Sequence, residues 1–89
     1  MTIDGAIVTE QGVTFAIVIV RPSAISTQAE AAATRTSFQS QTRDFHGLPL
    51  ILAAQDSRGV FTYQGRDDIV RFLASIDASR IPWKRYTVA

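Results

Sequence analysis

The sequence predicts one small α+β domain, a ββαββα sandwich around a four-stranded mixed sheet. Segments 13–20 and 48–54 are apolar on both alternating sets of side chains, which is typical of strands buried on both faces. A third segment carries an apolar stripe at helical spacing, made by Ile69, Phe72, Leu73 and Ile76. With 89 residues, of which 46% are apolar, the chain has room for one core and no more.

The first half reads as a hairpin followed by a helix. Strands at 6–9 and 13–20 flank Glu10, Gln11 and Gly12, and glycine suits a turn position with positive φ. A helix is then predicted from Pro22 or Ser23 to about residue 41. One face of it carries mostly small side chains: Ile25, Ala29, Ala32, Ala33 and Thr36. Phe38 would point away from Ile25, so the helix either has two contact faces or frays before Phe38.

The second half repeats the order of strand, strand and helix. Strand 48–54 has Pro49 at its beginning, where a missing donor is tolerated, and a turn at 56–59 leads to an edge strand at 60–64. A helix from Asp67 to about Asp77 follows, with Asp67 and Asp68 at its positive end. Joining strands two and three through a helix requires a parallel crossover, which predicts the sheet order 1-2-3-4 with a parallel central pair.

Residues 47–77 resemble the C-terminal strand-strand-helix unit of thioredoxin-like proteins. The likeness lies in a strand led by Gly47-Leu48-Pro49, an antiparallel return strand, Gly65 and a closing helix. In that family the proline is cis and lies beside reactive cysteines. The resemblance therefore implies a small-ligand cleft around Arg21, Ser23, His46 and Pro49.

This sequence departs from the family in two respects. Segment 21–26, which would take the place of the reactive cysteines, holds no cysteine, so dithiol chemistry is excluded. The stretch between strands two and three is also too short for the additional strand and helix of a complete thioredoxin. The resemblance thus implies a trimmed fold without the redox function.

Composition narrows the function classes further. The chain has no cysteine, which excludes disulfides, thiolate metal sites and cysteine nucleophiles. With a net charge of +1, the chain is not expected to have a surface potential of one sign. The N-terminal segment is unlike a signal peptide, and the longest apolar run is too short to span a bilayer. We therefore expect a cytoplasmic protein without membrane contact.

No arrangement of residues predicts catalysis or a cofactor. His46 is the sole histidine, and although Asp44 and several serines are available, no nucleophile elbow is present. Asp67 and Asp68 are explained by their place at a helix start, and the dispersed glycines match no phosphate-binding spacing. We expect no metal, no cofactor and no redox or hydrolytic activity.

The C-terminal arm, residues 80–89, is too apolar for a solvated end. Trp83 and Tyr86 alternate with Arg80, Lys84 and Arg85. This interleaving suits docking of the aromatic rings on the domain itself or on a second subunit, with the charged heads in water. It also suits a protein partner and, less well, single-stranded nucleic acid.

We therefore expect a non-enzymatic interaction or assembly module that forms a homodimer or binds another protein. Two strands are apolar on both faces, and only two helices are available to shield these faces from water. A sheet face that the helices leave uncovered would need a second subunit or another protein. The alternative is a thioredoxin-like small-ligand binder or enzyme. A concave polar cleft at Arg21, Ser23, His46 and Pro49 would favour that alternative.

Overall fold

The computed structural model describes residues 2–88. It contains five strands, β1 (Thr2–Glu10), β2 (Val13–Val20), β3 (Leu50–Gln55), β4 (Phe61–Gln64) and β5 (Lys84–Thr87). The two α-helices are α1 (Gln28–Gln41) and α2 (Asp67–Ala74). Short 3-10 turns lie at Pro22–Ile25, Arg43–Phe45 and Ala78–Arg80.

The sheet is mixed and has five strands in the order β4-β3-β2-β1-β5. The predicted order of the first four strands and the parallel pairing of β2 with β3 are confirmed. The prediction of only four strands is wrong, because the C-terminal arm adds β5 antiparallel to β1, with Thr2 opposite Thr87. The arm thus satisfies backbone groups of β1 that a four-stranded sheet would leave open.

The hairpin between β1 and β2 follows directly from its turn residues. Gln11 and Gly12 both have positive φ, 51° and 80°, as a two-residue turn of type I′ requires. This turn matches the right-handed twist of the strands that it joins. The predicted role of Gly12 is confirmed.

One helix covers each face of the sheet. On the first face α2 buries Ile69 and Leu73 against β2 and β3 side chains, including Ile17 and Ile51. On the opposite face Ala31 of α1 packs in a cluster of Ala16, Val18, Phe45, Leu50, Leu52 and Tyr86. Both apolar faces of the central strands are therefore covered within one chain, and the coverage argument for a dimer no longer holds.

The first helix begins later than predicted. Pro22–Ile25 forms a 3-10 turn, and α1 starts at Gln28 behind Thr27, whose side chain accepts a hydrogen bond from the Glu30 N–H at 3.1 Å. Ile25 lies before this cap and outside α1. The direction of its side chain therefore does not follow from the helical periodicity that orients Phe38. Both side chains pack against the same cluster, so neither a second contact face nor fraying is needed.

The second helix ends earlier than predicted, at Ala74 instead of Asp77. Its first turn carries Asp67 and Asp68 as expected, and Arg66 Nε lies 2.8 Å from Asp68 Oδ1. The hydrogen bond from Arg66 holds the pKa of Asp68 below its usual value. Asp77 instead caps the next turn by accepting a hydrogen bond from the Ser79 N–H at 2.9 Å.

Candidate functional site

The residues of the predicted C-terminal interaction segment divide between the two faces of the sheet. After α2 the chain crosses one face, where Ile81 is buried and Trp83 is partly buried in the α2 cluster. Tyr86 is buried on the α1 face. Arg80, Lys84 and Arg85 are exposed. The arm therefore docks on its own domain, and its basic groups remain in water.

Trp83 is held by one hydrogen bond and one stacking contact. Its Nε1–H donates to the Ala78 carbonyl at 3.0 Å, and its ring stacks on Phe61 with centroids 5.7 Å apart. The ring is docked on the domain itself, although the side chain keeps some solvent contact. One face of the ring is nevertheless occupied by the chain itself.

Tyr86 is held by a second aromatic contact on the other face. Its ring lies 5.0 Å from that of Phe45 at an angle of 57°, a tilted geometry that aromatic pairs favour. Burial, with the nearby charge of Asp44, raises the pKa of Tyr86. Lys84 Nζ lies 5.0 Å from the centre of the same ring. The Tyr86 ring is therefore engaged in packing.

The four residues of the predicted ligand cleft are not brought together. Arg21 and Ser23 follow the carboxyl end of β2, whereas His46 and Pro49 precede the amino end of β3. β2 and β3 run parallel, with Ala16 opposite Leu50. The carboxyl end of β2 and the amino end of β3 therefore lie at opposite ends of the strand pair. No peptide bond within residues 2–88 is cis, including the one before Pro49.

His46 lies exposed on the surface, and its Nε2 is 3.2 Å from the Ser40 carbonyl oxygen. Between residues 2 and 88, no cluster of three histidine, aspartate or glutamate side chains is placed to hold a metal ion. No helix in the described part of the chain is long and apolar enough to cross a membrane.

Arg21 and Ser23 line a shallow pocket of about 500 Å³ at the carboxyl end of β2. Its other walls come from the end of β2, the 3-10 turn and α1, through Ile19, Val20, Ala24, Thr34 and Phe38. Open α/β proteins bind ligands at this end of the sheet, outside the carboxyl ends of their parallel strands. Half of the predicted cleft thus contributes to a different, more apolar pocket.

The two outer strands of the sheet, β4 and β5, differ in how well they are protected against pairing with a strand of another chain. β5 carries Lys84 and Arg85, and Arg85 Nε lies 3.5 Å from Asp4 Oδ1. Charged side chains on an edge strand are a common protection against pairing with another chain. β4 has the sequence Phe-Thr-Tyr-Gln, with neither charge nor proline. Within residues 2–88 no other strand pairs with its outer side.

Residues 60–64, which contain β4, also carry exposed and partly exposed apolar side chains. Val60, directly before the strand, is 59% exposed, the highest exposure among the large hydrophobic side chains that are described. Tyr63, Phe61 and Trp83 form a row of stacked rings, with Phe61 and Tyr63 centroids 6.1 Å apart. A groove of about 480 Å³ runs between β4 and α2.

We name residues 60–64 the β4 edge and take it as the candidate site. Sequence reasoning identified this segment as an edge strand but did not single it out. Part of the signal was present in the sequence, as an uncharged strand predicted at the edge of its sheet; the exposure of Val60 is seen only in the structure.

Comparison of the chain with protein-family models, curated proteins and solved structures finds no match. The resemblance of residues 47–77 to thioredoxin-like proteins therefore stays a prediction.

Proposed function

We propose that the chain is a non-enzymatic assembly module that forms a homodimer through the β4 edge. The observation that carries this proposal is the contrast between the two outer strands. β5 is protected by Lys84 and Arg85, while β4 is uncharged and lies beside the exposed Val60. An unprotected edge strand offers unpaired backbone groups to a second strand of the same kind.

A second copy is the partner that fits this edge best. Most oligomers of small proteins are symmetric, and a twofold interface requires one patch to be complementary to itself. A short antiparallel strand meets this requirement because its backbone donors and acceptors repeat in both directions. The neutral side chains of β4 add no like-charge repulsion when the strand faces its own copy.

The solution mass and one edge substitution test the proposal. We expect sedimentation equilibrium at micromolar concentration to give twice the chain mass of 9.7 kDa. Thr62→Lys should give the monomer, because two ammonium groups would meet across the axis. The matched control is Thr87→Lys, which places the same change on exposed Thr87 of β5 and should leave the dimer intact.

Two results would overturn the assignment. The first is a wild-type chain that remains at 9.7 kDa up to about millimolar concentration. The second is a dimer that survives Thr62→Lys and is lost with Thr87→Lys, since that outcome would place the interface at β5. Circular dichroism of both variants checks that each retains the fold.

A second candidate function is binding of an anionic amphiphile in the pocket at Arg21. Apart from the hydroxyls of Ser23 and Thr34, the lining is apolar, and Arg21 supplies its only charged side chain. A volume of about 500 Å³ lies within the range of small-ligand pockets. The combination favours a carboxylate with a short apolar tail.

Titration with octanoate and with octanol, followed by amide chemical shifts, tests this candidate. We expect octanoate to shift the amides of Ser23, Thr34 and Phe38, and Arg21→Gln to weaken octanoate about tenfold while octanol is unchanged. Arg58→Gln, in an exposed turn, is the matched control. Equal effects of the two arginine substitutions, or shifts confined to other surfaces, would reject the pocket.

A further inference from the structure

We infer that two copies of β4 pair antiparallel about a twofold axis at Thr62, so that the two sheets join into one continuous sheet. This inference rests on the proposed homodimer and specifies the register of its interface. The register follows from the backbone pattern of the β3–β4 hairpin and from the length of β4.

The hairpin determines which backbone groups of β4 point outward. The Asp56 N–H donates to the Val60 carbonyl at 3.0 Å, so the backbone of Val60 is directed toward β3. In an antiparallel pair this direction alternates along the strand, and the next registered pairs are Phe61 with Gln55 and Thr62 with Ala54. Phe61 and Tyr63 therefore direct their N–H and C=O groups to the open side.

Symmetry then limits the register to a few choices. Opposed residues must lie on the same face of the joined sheet, so the axis has to pass through a residue position. An axis at Tyr63 would place Phe61 opposite Gly65, and an axis at Phe61 would place Tyr63 opposite Gly59. Both glycines lie outside β4. An axis at Thr62 alone keeps both outward-directed residues paired within the strand.

With the axis at Thr62, Phe61 faces Tyr63 of the partner subunit, and Tyr63 faces Phe61 of the partner subunit. Each of these pairs joins two residues with outward backbone groups, so together they form four hydrogen bonds. Their side chains lie on the α2 face, where Phe61 already stacks on Trp83. The aromatic rows of the two subunits thereby meet, and aromatic cross-strand pairs stabilise sheets.

Single cysteines test the register cleanly, since the chain contains no native cysteine. Thr62 would face its own copy as a non-hydrogen-bonded pair, with Cα atoms about 4.5 Å apart. That spacing lies within the reach of a disulfide. Diamide is the oxidant: two Thr62→Cys thiols each lose a hydrogen to its N=N bond as the S–S bond forms.

We expect Thr62→Cys to give a covalent dimer on a non-reducing gel, at least about tenfold faster than either control. The first control, Gln64→Cys, lies on the same strand, but its copies would be offset by about 13 Å along it. The second control, Thr87→Cys, lies on β5. An equal mixture of Val60→Cys and Gln64→Cys should form the mixed disulfide, because these two positions oppose each other.

The outcomes separate the register from the dimer itself. A wild-type dimer by mass in which Gln64→Cys alone crosslinks faster than Thr62→Cys would overturn the register and leave the homodimer standing. A dimer in which only Thr87→Cys reacts would overturn both the register and the β4 interface. A monomeric wild type with equally slow crosslinking of all variants would overturn the proposed function together with this inference.

Discussion

Replacing Phe45 with alanine is expected to lower the free energy of unfolding by about 3–5 kcal/mol, the largest loss of any single substitution considered. Phe45 is fully buried and lies in the short turn between α1 and β3. Its ring packs on Tyr86, so it joins this connection to the C-terminal strand. The loss is a large fraction of the roughly 5–10 kcal/mol that stabilises a small domain.

The same place in the core leaves little room for repacking. A Cβ atom on Gly5 would lie 2.6 Å from the Ile17 carbonyl oxygen and about 3.5 Å from the Phe45 ring. The clash with the Ile17 carbonyl requires glycine at position 5, and the Phe45 ring lies at an ordinary packing distance over it. Phe45 thus packs over the backbone at Gly5 as well as over Tyr86, and a backbone shifts less readily than side chains do, so we expect the cavity left by Phe45→Ala to close only in part.

Chemical denaturation followed by circular dichroism measures the effect. Phe38→Ala is the matched control, since Phe38 packs against the same cluster but is only partly buried. We expect it to cost about 1–2 kcal/mol, in proportion to the smaller apolar area removed from water. Equal losses for the two variants would show that Phe45 has no special place in the core.

Trp83→Ala is expected to cost about 2–4 kcal/mol, somewhat less than full burial would give. The substitution removes the stacking on Phe61 and the hydrogen bond to the Ala78 carbonyl. It also loosens the segment that carries the chain across the α2 face to β5. Because Phe61 belongs to the β4 edge, the same variant should weaken the proposed dimer.

The control for this prediction is Trp83→Phe, which retains an aromatic ring and loses the indole donor. We expect a cost of about 1 kcal/mol for the missing hydrogen bond. Tryptophan emission provides an independent check, because Trp83 is the sole tryptophan. An emission maximum typical of water-exposed indole, with complete quenching by iodide, would contradict the docking of Trp83.

The central part of the fold could be predicted from local patterns. β2 and β3 are apolar on both sides because helices cover both faces of the sheet, and this burial is visible as unbroken apolar runs. The turn at Gly12 is likewise a local requirement. These features depend on neighbouring residues in the chain, so the sequence alone was sufficient.

β5 and the start of α1 could not be predicted in the same way. Lys84–Thr87 contains two charged residues and acquires its strand conformation from pairing with β1, at the other end of the sequence. Pro22 and Thr27 are both typical of the start of a helix. In the structure Pro22 begins the 3-10 turn and Thr27 caps α1, so each starts a separate helical segment. Tertiary contacts decide such cases.

The surroundings of the C-terminal arm and of the predicted ligand cleft could be predicted only in part. The sequence indicated that the C-terminal arm packs, but not that its aromatic rings would lie on opposite faces of the sheet. Placing Arg21 and His46 in one cleft followed from the thioredoxin resemblance. The parallel β2–β3 pair separates them, and this separation could be seen only once the ends of the strands were placed.

The pairing of Thr2 with Thr87 has a consequence for how the protein folds. This contact joins nearly the two extremes of the sequence, and contacts of such long range form late because the loop that they close is large. During synthesis the outer side of β1 therefore stays unpaired until β5 has left the ribosome. For that interval one edge of the sheet is the nine-residue β1 instead of the short, charged β5, and this is when premature association threatens the nascent chain most.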